Sequence, residues 1–177
     1  MSDMLPHGNC YRVGPQLIAG EYPGGPDFVA AKAKLDRHLD VGITYFLDLT
    51  ELGELRDYTD VLGSTSAAHG VTAFHRRMPI RDASLPDTPA IMVAILDALD
   101  TAIATGHTVY LHCWGGIGRT GTVVGCWLVR HGMTGDKALE TIASHWQGVE
   151  KHWRQPRSPE TDEQHAYVRG WSQGAFV

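Results

Sequence analysis

Apolar positions recur along the chain at two alternating periods, and the segments they mark follow one another in a regular order. Between Gly14 and Gly20, the run Gln16-Leu17-Ile18-Ala19 is extended and closes in Glu21-Tyr22-Pro23-Gly24-Gly25-Pro26, which predicts a short strand and a turn. Asp27 stands as an N-cap, and Phe28, Ala31, Leu35 and Leu39 recur at helical spacing up to a stop at Val41-Gly42. Residues 43–49 are β-branched and aromatic enough for a buried strand. Residues 50–70 mix charges with Gly, Ser and Thr and predict a short helix inside a longer connection, and residues 71–80 read as another strand. The Pro and Asp residues of 81–87 mark an exposed loop, and Asp87 or Thr88 then caps a helix with Pro89 just inside it, running to Gly106. A short apolar strand at 108–112, a helix over 119–131 and two further helices over 135–146 and 160–171 complete the pattern.

Strands alternating with helices predict an α/β fold with a central, mostly parallel sheet flanked by helices. The length of 177 residues suits a single domain, 1–177, with a sizeable core. With 43% hydrophobic and 20% charged residues the composition is that of an ordinary soluble globular protein. The net charge of −5 gives no general attraction to nucleic acid or an anionic membrane, so an anionic substrate must be held by local charge. The apolar runs are too short for a membrane span and the N-terminus lacks a signal-peptide pattern, so a cytoplasmic location is expected. Three cysteines without a C-x-x-C pair suggest neither a disulfide framework nor a zinc site, and the ten histidines show no ligand spacing; no metal or cofactor is expected.

The chemistry is concentrated in His112-Cys113-Trp114-Gly115-Gly116-Ile117-Gly118-Arg119-Thr120-Gly121, a strand end, a Gly-rich loop and a helix start. Glycines let such a loop curl so that successive N–H groups point inward, adding to the positive field of the helix N-terminus. A cysteine at the focus of that field is favoured as the nucleophilic thiolate. Arg119, six residues on, returns to face the same anion with a planar fork that can hold two phosphoryl oxygens. A Walker-type loop would need Gly-Lys-Ser/Thr, and nucleotide hydrolysis of that kind is disfavoured.

This run resembles the signature of the cysteine-dependent protein tyrosine and dual-specificity phosphatases: His-Cys, five residues, Arg, then Ser or Thr. The resemblance spans about residues 11–171 and implies the fold of that superfamily and hydrolysis of phosphate monoesters. It makes Cys113 the nucleophile that forms a phosphocysteine, residues Trp114, Gly115, Gly116, Ile117 and Gly118 the phosphate cradle, and Arg119 the clamp. Thr120 becomes the hydroxyl that stabilises the departing thiolate, and His112 the residue that orients the loop. A general acid must protonate the leaving group, and the superfamily carries it on a loop about thirty residues before the cysteine. Asp82, 31 positions before Cys113, fits, in a stretch similar to that of the kinase-associated phosphatase group. Asp87 is its competitor, with helix capping as its alternative task.

The absence of a Trp-Pro-Asp loop and the short chain place the sequence nearer the dual-specificity branch. Glu160-Thr161-Asp162-Glu163-Gln164 is similar to the segment that positions hydrolytic water, with Glu160 where the family has glutamine, leaving Gln164 or Glu160 for that task. The expected substrate is phosphotyrosine in protein, with phosphoserine and phosphothreonine admitted by the shallower pocket that the dual-specificity branch implies; the alternatives are a small phosphate ester or a phosphate-binding module without turnover. No lysine lies within the loop to meet a heavily phosphorylated lipid head. Arg76, Arg77, Arg81, Lys151 and Arg154 form a basic rim only if the fold brings them together, and Trp146 and Trp153 are either core or pocket wall. Cys126 reads as an unreactive core thiol, and Cys10 reaches Cys113 only if the N-terminal strand passes close by.

Overall fold

The computed structural model describes residues 3–172. Its sheet has five strands in the order β1-β2-β5-β3-β4: β1 (Cys10–Gly14), β2 (Leu17–Gly20), β3 (Ile43–Asp48), β4 (Phe74–Arg77) and β5 (Thr108–His112). Only the β1/β2 pair is antiparallel; β2/β5, β5/β3 and β3/β4 are parallel, so the α/β expectation holds. The helices are α1 (Phe28–Asp40), α2 (Thr59–Ala68), α3 (Pro89–Ala104), α4 (Gly118–Arg130), α5 (Gly135–Trp146) and α6 (Asp162–Gly170), with a 3-10 turn at Glu150–Trp153.

Strand alternation divides the core into two layers. Leu17 and Ala19 of β2, Leu47 of β3, and Val109 and Leu111 of β5 face α3, α4 and α5. Ile18, Phe46 and Tyr110 point the other way, toward Leu35 of α1 and Leu62 of α2. The central strands are thus buried on both faces, which is why their sequences are apolar runs.

Several boundaries depart from the sequence reading. The extended run at 71–80 keeps strand pairing only over Phe74–Arg77, because β4 is an edge strand paired with β3 alone. Strand β1 escaped notice because a two-residue turn joins it to β2. Thr88, not Asp87, is the N-cap of α3, and it makes no side-chain cap bond. Helix α6 starts at Asp162 because Thr161 and Gln164 form a reciprocal capping box.

Helix α4 carries a stripe of glycines. A Cβ at Gly118 would lie 3.0 Å from the Gln164 amide, one at Gly121 would overlap Ser158 Oγ, and one at Gly125 would lie 2.6 Å from Val168. The segment from Ser158 to Val168 therefore lies directly on the α4 backbone.

On the other face of the sheet, three histidines gather around Tyr110. His7 Nε2 lies 3.0 Å from the Tyr110 hydroxyl, the His38 ring meets Tyr110 edge-on at 4.4 Å, and His112 stacks on it at 6.0 Å. Burial pushes His7 and His112 down to about 4, and His38 well below the ordinary histidine value. In the unfolded chain each takes up a proton near pH 6.5, while in the folded chain they stay neutral to about pH 4 or below. The stabilisation is fully present above the unfolded value and is lost as pH falls toward the folded one. The urea midpoint is expected to drop steeply between about pH 6.5 and pH 4, with uptake of about three protons on unfolding. His38→Phe, which removes a ring whose Nε2 has no partner among the described residues, should flatten that slope by about one proton; an unchanged slope would remove His38 as a contributor.

Candidate active site

Strand β5 ends at His112 and α4 begins at Gly118, so residues 113–117 form the loop between a central strand and a helix N-terminus. Cys113 is buried at the strand end. Among the described residues, the amides of residues 114–118 make no hydrogen bond to a protein acceptor, and α4 has no side-chain cap. Unmatched donors at a loop and helix start favour an anion. Gly116 has φ +72°, and a Cβ there would overlap the backbone of Gly20 and Glu21. Gly116→Ala is expected to lower kcat/KM on an aryl phosphate by about tenfold or more through displacement of the loop; unaltered kinetics would show that the loop tolerates the shift.

His112 fixes the position of the cysteine. Its Nδ1–H donates to the Cys113 carbonyl at 3.0 Å, and its Nε2 accepts from the Tyr58 hydroxyl at 2.7 Å. Burial keeps the ring neutral, consistent with one donating and one accepting nitrogen. Behind it, Asp48 accepts from Thr50 N (2.9 Å), Thr50 Oγ1 (2.6 Å) and His75 (2.9 Å). Burial opposes its ionisation, but the hydrogen bonds from His75 and Thr50 hold the carboxyl well below its usual range.

Arg119 is only 1% exposed, although its head reaches the cavity. Its guanidinium is gripped by Glu54, with Nη1 to Oε2 at 2.9 Å and Nη2 to Oε1 at 2.6 Å, and Nη1 also donates to the Ile80 carbonyl at 3.0 Å. Nε is buried and has no hydrogen-bond partner among the described residues. The hydrogen bonds from Arg119, opposed by slight burial, lower the Glu54 pKa. Asp82, on the exposed loop after β4, pairs with Arg119 Nη2 at 3.0 Å. Cys113, Arg119 and Asp82 line one cavity of about 410 Å³.

A family described as "Tc-R-P: Polymorphic toxin system, DSP-PTPase phosphatase" matches residues 26–133. The chain is a DSP-PTPase phosphatase of this family. Solved structures share its fold over nearly their whole length. The kinase associated phosphatase (KAP) with its catalytic-site cysteine changed to serine has a TM-score of 0.71 at 18% identity, covering 94% of each chain. Tk-PTP in the active form has a TM-score of 0.65 at 23% identity, over 91% of this chain and 94% of that one. A variant of P. aeruginosa TpbA in complex with pTyr has a TM-score of 0.67 at 19% identity, over 96% and 88%. The fold is thus that of the cysteine-dependent protein tyrosine and dual-specificity phosphatases.

The phosphatase brings most of the sequence-derived residues together. Trp114, Gly115, Ile117 and Gly118 line the cavity with Cys113, and so does Glu160. Thr120 is buried just behind, its hydroxyl without a partner among the described residues. Gln164 is occupied elsewhere: its Oε1 accepts from the Glu160 and Thr161 amides, and its Nε2 donates to the Ser84 carbonyl at 3.2 Å. Asp87 is exposed and, among the described residues, pairs with Arg81 at 3.8 Å. Of the possible basic rim only Lys151 and Arg154 reach the cavity; Arg77 joins the Asp48 cluster. Trp146 is core, whereas Trp153 is 73% exposed. Cys10 and Cys113 belong to different core layers, and burial raises the Cys10 thiol to about 11 and the Cys126 thiol higher still. No described helix is long and apolar enough to cross a membrane. Glu54 was missed by sequence reasoning: nothing local to Leu52-Gly53-Glu54-Leu55 announces a partner 65 positions away.

Proposed function

We propose that this phosphatase hydrolyses phosphotyrosine in proteins through a phosphocysteine at Cys113, with residues 1–177 acting as a single catalytic domain. The observation that carries the reading is the convergence of Cys113, Arg119 and Asp82 on one cavity lined by free loop amides. The pTyr bound by the structurally similar TpbA supports the choice of substrate.

In this mechanism the phosphate dianion sits on the loop amides, and the unpartnered Arg119 Nε meets one of its oxygens. The Cys113 thiolate forms a bond to phosphorus as the phosphorus–oxygen bond to tyrosine breaks, and Asp82 gives its proton to the leaving oxygen. Water then attacks the phosphocysteine, Asp82 takes back a proton, and inorganic phosphate leaves with the thiolate restored. The Thr120 hydroxyl, buried and without a partner among the described residues, donates to that sulfur as it departs. Of the two residues proposed to guide water, Glu160 faces the cavity while the Gln164 amide is held in the α6 cap, so the role falls to Glu160.

The test is a rapid-quench experiment with a phosphotyrosyl peptide. Phosphate covalently bound to the peptide containing Cys113 is expected at close to one per active enzyme, and turnover without any such adduct would overturn the mechanism. Asp82→Ala should slow alkyl phosphates by about 10²–10⁴-fold and nitrophenyl phosphate much less, because the latter's leaving group needs no proton. Equal losses on both would take the acid role from Asp82.

A further inference from the structure

The cavity extends beyond the phosphate loop to the 3-10 turn at Glu150–Trp153 and the residues just after it. That turn is fixed to the loop. Lys151 Nζ donates to the Gly115 carbonyl at 2.9 Å and to Glu21 at 2.6 Å, and the Lys151 amide donates to Asn9 Oδ1 at 3.1 Å. Lys151 is thus a strut whose charge is met by Glu21, which burial would otherwise push toward neutrality but which Lys151 and Lys34 hold ionised.

Arg154 follows on the same turn, its amide bonded to the Lys151 carbonyl at 3.0 Å. It lines the cavity, and its guanidinium lies 5.1 Å from the centre of the exposed Trp153 ring. Among the described residues it has no carboxylate partner, in contrast to Arg119, Arg130, Arg157 and Arg169. The other cavity carboxylates lie elsewhere: Asp82 is paired with Arg119, and Glu160 abuts Gly118, at the opposite end of the loop from Gly115. The cavity therefore carries an uncompensated cation on the turn that Lys151 ties to Gly115.

We infer that Arg154 is a second anion subsite, so the favoured substrate carries a further anionic group, carboxylate or phosphate, beside its phosphotyrosine. This rests on the phosphatase reading above and adds the substrate class. The Trp153 ring restricts the guanidinium in advance, which lowers the cost of ordering it on binding. The charge is solvent-facing, so its effect weakens with salt.

Four substrates decide the matter, each assayed at low and high salt: nitrophenyl phosphate, and phosphotyrosyl peptides flanked by glutamine, by glutamate or by phosphoserine. Wild-type enzyme should prefer the glutamate-flanked peptide over the glutamine-flanked one by about tenfold in kcat/KM at low salt. Arg154→Ala should bring that ratio near one, Arg154→Glu should reverse it, and Arg154→Lys should keep part of it. The phosphoserine peptide shows whether a phosphate at this position serves better than a carboxylate. Wild-type preference unchanged in Arg154→Glu, or absent while nitrophenyl phosphate is hydrolysed, would overturn the subsite alone. No turnover of any substrate by folded wild type would overturn the phosphatase reading and the subsite with it.

Discussion

Cys113→Ser is expected to reduce hydrolysis of an aryl phosphate by at least about four orders of magnitude while leaving the fold and oxyanion binding in place. The substitution exchanges sulfur for oxygen at a buried position and leaves the loop amides and Arg119 untouched. A serine hydroxyl is far less ionised near neutral pH, so the attacking electron pair is lost but the cradle remains. Vanadate or phosphate affinity, read by calorimetry, should therefore stay within about threefold of wild type. Turnover near the wild-type rate would remove Cys113 as nucleophile.

Glu54→Ala is expected to lower kcat/KM by about 10²-fold although Glu54 need not touch the substrate. Arg119 makes two hydrogen bonds to that carboxylate, at 2.9 and 2.6 Å, and without them its remaining carboxylate is Asp82. The guanidinium would then turn toward the acid, spoiling the clamp and occupying the proton donor together. Removing one side of a buried ion pair also leaves the other side poorly compensated, so some loss of stability should accompany the kinetic defect. Glu54→Gln keeps one acceptor and should fall between wild type and alanine. The distinguishing readout is vanadate binding: weakened in Glu54→Ala, retained in Cys113→Ser. Equal vanadate affinity in wild type and Glu54→Ala would show that Arg119 holds its geometry unaided.

The parts of the site legible in the sequence are those written contiguously. His112 to Thr120 lie on one strand–loop–helix stretch, so residue order alone places Cys113, the loop amides and Arg119 around a point. Asp82 was reachable because a loop leaves the edge strand shortly before it. Glu54 was not, because its partnership depends on a connection of mixed composition folding back under the β4 loop. Gln164 illustrates a different limit. Thr161-x-x-Gln164 is itself a capping-box pattern, a local backbone demand that the side chain satisfies and that the resemblance to the water-positioning segment does not convey. The basic rim was undecidable from composition, since Arg77 and Arg154 differ only in what the fold sets beside them.

The bare glycine face of α4 also ties the site to a distant part of the chain. The loop before α4 is local in sequence, yet Gly118 and Gly121 leave no room for a side chain because Gln164 and Ser158 lie against them, and Ser158 Oγ donates to the Ile117 carbonyl at 2.7 Å. Truncating the chain before Ser158 would therefore strip the helical end of the loop of its rear wall, although every residue of the loop itself would still be present.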